Sequence, residues 1–160
     1  MIRDIQLTDA KAVAEIYNYY IENTVVTFEE TALKPEDIEE RILSKKESLP
    51  WVVFEKNNEV VGYAYASEWK SRCAYKYSVE STVYLKHTEV KGGIGTQLYK
   101  ELLDRLRKTE VHAVIGGIAL PNEGSTKLHE KFGFEKVAQF KEVGFKFDQW
   151  VDVGYWELIL

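Results

Sequence analysis

Cysteine is almost absent from this sequence. Cys73 stands alone among 160 residues, which excludes an internal disulfide framework and fits a reducing compartment. Long apolar runs are missing too. No stretch reaches membrane length, and the opening MIRDIQLTDA lacks the apolar segment of a signal peptide, so a cytoplasmic chain with no membrane partner is the expectation. Positive charge is in the minority. The net charge of −5 argues against nucleic acid or an anionic membrane as the main partner, while leaving room for a local basic pocket. There is no repeat, no low-complexity segment and no Pro/Gly/Ser-rich linker, so residues 1–160 read as a single domain. No group of His, Cys, Asp and Glu has metal-ligand spacing, and no metal is expected.

What is present belongs to a globular protein. Apolar residues at 45 % and charged residues at 29 % allow a sizeable core. Aromatics at 13 %, with ten Tyr and four Trp, suggest a pocket or an interface as well. Ile2–Ile5 reads as a short edge strand. Thr8 is placed to cap a helix whose apolar positions Val13, Ile16, Tyr17, Tyr20 and Ile21 follow the helical period. Pro35 suits a first helical position, with Ile38 and Ile42 one turn apart. Two strand-like runs, 51–54 and 60–66, flank Lys56-Asn57-Asn58-Glu59 as a hairpin. A polar loop, 67–75, leads to a strand ending at Leu85. A helix with Ile94, Leu98, Leu102 and Leu106 on one face follows a glycine turn. Then come a buried strand at 113–120, a short helix at 122–132 stopped by Gly133, and strands at about 135–140 and 151–160. The order β-α-α-β-β-β-α-β-α-β-β is α/β or α+β with a mixed sheet.

The glycine turn is the most informative stretch. Lys91-Gly92-Gly93-Ile94-Gly95-Thr96 joins a β-branched and aromatic strand to a helix. Glycines let backbone approach a bulky anion, and a helix start offers unpaired N–H groups and a partial positive charge. A P-loop needs a lysine directly after the last glycine, and Thr96 stands there. A dinucleotide fingerprint needs a third glycine where Leu98 stands. On the loop's residues alone, phosphate binding and a plain helix-entry turn both remain open.

The loop resembles the acyl-CoA loop of the GNAT N-acetyltransferase superfamily, whose pattern is Arg/Gln-x-x-Gly-x-Gly/Ala. Gly93 and Gly95 match; Val90 departs from the first position, with Lys91 beside it to supply part of the missing charge. Further segments recur in one branch of that family: Pro50-Trp51, Trp69 to Tyr75, Val79 to Tyr84, Leu120-Pro121-Asn122, Lys127-Leu128-His129-Glu130 and Asp152 to Trp156. Together they resemble the phosphinothricin and methionine sulfoximine/sulfone N-acetyltransferases over nearly the full length. The resemblance implies a central mixed, mostly antiparallel twisted sheet of about six or seven strands, about four flanking helices, and a parallel splayed pair at the acyl-CoA site. It also implies acetyl-CoA as co-substrate, a small amino acid-like acceptor amine, and a homodimer.

Site residues follow from the same match. The turn Lys91, Gly92, Gly93, Ile94, Gly95 and Thr96 would take the pyrophosphate, the backbone of Val83, Tyr84 and Leu85 the pantetheine arm, and Asn122 and Ser125 would touch CoA. Asn122 is equally a good helix cap. Glu80 matches a general base and His129 a residue of the acid side. A strand glutamate otherwise faces solvent, and a histidine is otherwise structural. Lys70, Arg72 and Tyr75 match an acceptor-facing loop, in which Arg suits two-point recognition of an anion; a solvated surface is the plain alternative. Phe28 matches a region lining the same cavity and would serve as well in the core. Trp69 and Tyr75 would give the acceptor an apolar wall. Cys73 has no base partner in sequence, and His87 and His112 have no match. Acetylation of a protein N-terminus or lysine, and a non-catalytic acyl-CoA-binding module, are the competing readings.

Overall fold

The computed structural model describes residues 1–45 and 47–160. Strands β1 (Ile2–Asp4), β2 (Trp51–Lys56), β3 (Glu59–Glu68), β4 (Ser78–Leu85), β5 (Ala113–Leu120), β6 (Glu135–Lys146) and β7 (Gln149–Ile159) are joined by helices α1 (Ala10–Asn23) and α2 (Pro35–Ser44) between β1 and β2, α3 (Ile94–Leu106) between β4 and β5, and α4 (Glu123–Lys131) between β5 and β6. The element order is the one read from the sequence. The strands form one sheet in the order β1-β2-β3-β4-β5-β7-β6. Pairing of β1 with β2, β2 with β3, β5 with β7 and β6 with β7 is antiparallel. The β4–β5 pair is parallel and spans only Ser78↔Ala113, Val79↔Val114 and Glu80↔Ile115, although β4 runs on to Leu85 and β5 to Leu120.

The chain forms two compact units. The first comprises 1–19, 33–67 and 81–110; the second comprises 20–32, 68–80 and 111–160. In the first, α3 buries Ile94, Leu98, Leu102 and Leu106 along one stripe, as the helical period predicts, and packs on β2, whose Val52 and Val53 are fully buried. Pro35 opens α2 at its first turn, where a missing N–H costs nothing. Asn57 and Asn58 both have positive φ and form the two-residue turn of the β2–β3 hairpin.

Two local expectations give way. Thr8 does not cap α1: residues Leu7–Asp9 form a single 3-10 turn, and the Asp9 carboxylate accepts from the Gln6 N–H at 2.8 Å and from Arg3. A carboxylate that satisfies an orphan amide and a guanidinium together outcompetes a lone hydroxyl. The sixth strand also continues beyond Phe140 to Lys146, through an irregularity between Phe140 and Gly144. There Glu142 adopts φ 52 and its N–H donates to Asp152 at 2.9 Å. That bulge breaks the alternation that would have betrayed the longer strand.

In the second unit, β5 pairs with β7 over the whole length of β5, and β6 and β7 close through Phe147 and Asp148, both with positive φ. Gly133, at φ 87, ends α4 in a conformation that favours glycine.

Candidate active site

The first unit carries the glycine turn. Gly93 sits at φ 72, where another residue would cost about 1–2 kcal/mol, and a Cβ there would stand in open space. It caps α3 without a side chain, and no acidic residue lies in the first turn. The first amides of the helix therefore face outward with neither a cap nor a carboxylate to compete for them. A Cβ on Gly95 would meet only Leu85, at 3.4 Å. The fold thus does not require glycine at 95, and the missing side chain leaves the approach to the helix start open. This geometry fits a diphosphate.

The approach to that turn is anchored. Lys86 pairs with Glu59, and Lys56 pairs with Glu89 at 2.9 Å, so two ion pairs tie residues 86–89 to the β2–β3 hairpin. His87 stacks on Tyr19, ring centroids 4.0 Å apart. Val90, where the family pattern has a longer polar side chain, is exposed. Val83, Tyr84 and Leu85 are half-buried at the end of β4; Tyr84 lies against Tyr17 and Tyr63.

The second unit carries the other residues, and strand parity divides them between two faces. Cβ atoms alternate along a strand and agree across a registered pair. Glu80 pairs with Ile115; Gly117, two residues on, pairs with Tyr155; Val153 and Val151 follow at the same spacing; Phe140 pairs with Val153 and Gly144 with Val151. Glu80, Gly117, Tyr155, Phe140 and Gly144 therefore share one face. A Cβ on Gly117 would stand 3.2 Å from the Tyr155 ring and 3.5 Å from Glu80 Oε1. Gly117 is itself exposed, although Ala113 to Gly116, Ile118 and Ala119 are buried. The missing side chain leaves an opening in a covered strand, with the Glu80 carboxylate on its rim. Trp69 and Phe140 meet the Tyr155 ring edge-on at 5.5 and 5.7 Å, completing an aromatic wall. The Lys70 ammonium lies over the Trp69 ring.

Among the described residues, the Glu80 carboxylate has no hydrogen-bond or ion-pair partner. Burial pushes its carboxyl above the ordinary carboxylate range, with no neighbouring cation to oppose the shift. Burial, and next the Glu80 charge, raise the Tyr155 phenol.

His129 lies elsewhere. Its ring is buried against Gly116, where an added Cβ would overlap it, and Gly116 faces away from Gly117. Glu80 and His129 stand on opposite faces of β5, and the structure does not bring them together. Nδ1 is 2.7 Å from the Ser125 carbonyl oxygen, which makes it the protonated nitrogen of a neutral ring, and burial lowers the imidazolium pKa. A ring in that state has its one proton committed to Ser125. Asn122 acts as the N-cap of α4, its Oδ1 accepting from the Ser125 N–H at 3.1 Å.

Lys70, Arg72 and Tyr75 lie exposed on the loop between β3 and β4, and among the described residues Lys70 and Arg72 have no ion-pair partner. Cys73 is exposed in the same loop. Phe28 rests on Gly144, on the Glu80 face. Sequence reasoning gave Gly117 and Tyr155 no site role, although Tyr155 lies in one of the segments that carry the family resemblance. A pair of glycines inside a buried apolar strand was the available signal for the first, since it marks close approach. Among the described residues no cluster of His, Cys, Asp or Glu could hold a metal, and no helix is long and apolar enough to cross a membrane.

A model of the acetyltransferase (GNAT) domain matches residues 2–154. The chain belongs to the GNAT acetyltransferase family. Phosphinothricin N-acetyltransferase of Streptomyces viridochromogenes is 36 % identical over 98 % of this chain and 85 % of its own length. The L-methionine sulfoximine/L-methionine sulfone acetyltransferase of Salmonella typhimurium is 32 % identical over 99 % and 94 %. A phosphinothricin acetyltransferase from Sinorhizobium meliloti, solved with AcCoA, superposes with a TM-score of 0.96 at 32 % identity, covering 100 % of this chain and 88 % of its own. A ribosomal-protein-alanine N-acetyltransferase from Brucella melitensis superposes at 0.97 with 34 % identity, covering 100 % and 99 %. The sheet with its parallel β4–β5 pair and the four helices are those of this GNAT family, whose members are acetyltransferases.

Proposed function

We propose that this GNAT enzyme moves the acetyl group of acetyl-CoA to the α-amine of a small amino acid analogue of the phosphinothricin, methionine sulfoximine or methionine sulfone type. The observation that carries this reading is the Glu80 carboxylate beside the opening at Gly117, walled by Tyr155, Trp69 and Phe140. An opening of that kind accepts a short chain better than a folded protein surface. Acetyl-CoA brings a thioester carbonyl already activated for attack. The amides of Ile94, Gly95 and Thr96 hold its diphosphate, Lys91 and Gly92 flank them, and the backbone of Val83, Tyr84 and Leu85 holds its pantetheine arm.

Glu80 accepts one proton of the incoming ammonium, directly or through a water; the freed amine attacks the thioester carbonyl, the C–N bond forms as the C–S bond breaks, and CoA leaves as a thiolate that takes up the proton the nitrogen sheds. A base whose pKa lies nearer to neutrality shares this work better than an ordinary carboxylate. Lys70 and Arg72 hold the anionic end of the acceptor, and Tyr75 and Phe28 line its side chain. His129 takes a positioning role: from the far face of β5 it holds the Ser125 carbonyl and so the turn from Asn122 to Ser125, which touches CoA. The whole chain, 1–160, serves the reaction as one domain. A homodimer belongs to the same proposal. Phe145, Phe147, Trp150 and Val143 leave an apolar surface on the β6–β7 hairpin that a second copy would cover, and sedimentation velocity reads that state directly.

Release of free CoA thiol from acetyl-CoA by the purified protein tests the activity. Methionine sulfone, methionine sulfoximine or phosphinothricin should each support it. The Brucella melitensis likeness makes a peptide with an N-terminal alanine the natural competitor in that assay. Release with the peptide and none with the amino acid analogues would overturn the acceptor assignment. In the same assay Arg72→Ala should raise the acceptor KM about 10–100-fold, as expected for loss of a charge-assisted bidentate contact, and leave the acetyl-CoA KM within about twofold. Equal changes in both constants would remove the anion clamp.

A further inference from the structure

Lys146 is a buried lysine outside the groups assigned above, only 2 % exposed near the end of β6. Its ammonium donates to the Thr27 carbonyl at 2.9 Å. The carboxylates of Glu30 and Glu29, on the same segment as Thr27, attract it further. Residues 24–32 form no helix or strand. Within this segment the Thr24 hydroxyl accepts from the Val26 N–H and the Thr27 hydroxyl from the Glu29 N–H, both at 3.3 Å, so it is locally turned upon itself. Two ties fix it on β6. One is the Lys146–Thr27 bond. The other is Phe28, whose ring lies so close over Gly144 that any Cβ there would overlap it, although Gly144 needs no special backbone angle. Gly144 and Lys146 are two residues apart and share the face of Glu80, Tyr155 and Phe140.

We infer that Lys146 and Gly144 seat Phe28 as a wall of the acceptor pocket, which makes Lys146 a positioning residue for acceptor binding that acts through Phe28. The inference rests on the acceptor reading above. A long stem brings the ammonium to the carbonyl of the buried Thr27, and Gly144 clears the space beside it for an aromatic ring. Neither group touches the reacting atoms. Both decide where Phe28 stands, and with it the room left for the acceptor side chain.

Steady-state kinetics with methionine sulfone and acetyl-CoA on Lys146→Met, Phe28→Ala and the double variant tests this. Lys146→Met keeps the apolar stem and loses the donor. It should raise the methionine sulfone KM about tenfold, the scale of one buried hydrogen bond, with the acetyl-CoA KM within about twofold. In the Phe28→Ala background it should add nothing. Gly144→Ala, which keeps the lysine and displaces the ring, should give the same split and covers the case in which Lys146→Met folds poorly. Additive effects of Lys146→Met and Phe28→Ala, or equal changes in both KM values, would overturn the coupling while leaving the pocket in place. If Phe28→Ala leaves the methionine sulfone KM unchanged, Phe28 is no part of the acceptor pocket and the inference fails with that assignment.

Discussion

Glu80→Gln lowers kcat about 10²–10⁴-fold, the span that a placed general base contributes. Both KM values stay close to those of the parent, because glutamine keeps the shape and the hydrogen-bonding capacity at the rim of the Gly117 opening. The acid limb of the pH–kcat/KM profile, which in the parent lies above the ordinary carboxylate range, disappears. The same substitution stabilises the protein at neutral pH. Burial raises the folded-state pKa of Glu80 above its unfolded value. The carboxyl therefore favours folding only where both states are protonated, and that contribution is lost as pH rises through the folded pKa. Glutamine carries no charge to bury, so its advantage is present at pH 7–8 and vanishes below about pH 4, where the parent is neutral in both states. Thermal unfolding at the two extremes reads the sign. An unchanged pH–rate profile, or a variant less stable than the parent at pH 8, would remove Glu80 as the base.

Gly95→Glu weakens CoA binding strongly without harming the fold. A carboxylate in the first turn of α3 complements the helix dipole, worth about 0.3–1 kcal/mol, and glutamate is a better helix former than glycine by roughly half a kcal/mol or more. A Cβ at this position finds only Leu85 at ordinary contact distance. The free protein should therefore melt at the same temperature or higher. In the proposed reading the same carboxylate stands where the diphosphate would bind. Like charges brought together cost several kcal/mol, so calorimetric affinity for CoA should fall roughly 10²–10³-fold. Stability gained and binding lost in one variant separates a ligand cradle from a helix-entry turn. A variant that binds CoA as the parent does would show that the turn holds no phosphate.

Much of this was legible because it rests on local chemistry. The element order follows from short-range periodicity. The hairpin at Asn57-Asn58 follows from residues that tolerate positive φ, and the stripe of α3 from leucines at helical spacing. Asn122 was readable as a cap because cap chemistry involves residues three apart. Where expectation failed, a competing side chain close by or an irregular backbone intervened. Arg3 and Gln6 recruit Asp9 and displace Thr8 as the organiser of the first turn. Asp152 holds the bulge at Glu142 that hides the second half of β6.

The sequence by itself determined that a glycine turn would join a mid-chain strand to a helix start, and its family resemblance singled out Glu80, His129, Arg72 and Phe28. Only the tertiary structure decided which of them share a surface. Whether two side chains on different strands face each other depends on register, and a shift of one residue exchanges the two faces. The register that sets Glu80 level with Ile115 and Tyr155 level with Gly117 puts the carboxylate at an opening and leaves His129 behind β5. No periodicity within a single strand carries that parity, because hydrogen bonds between segments dozens of residues apart establish it.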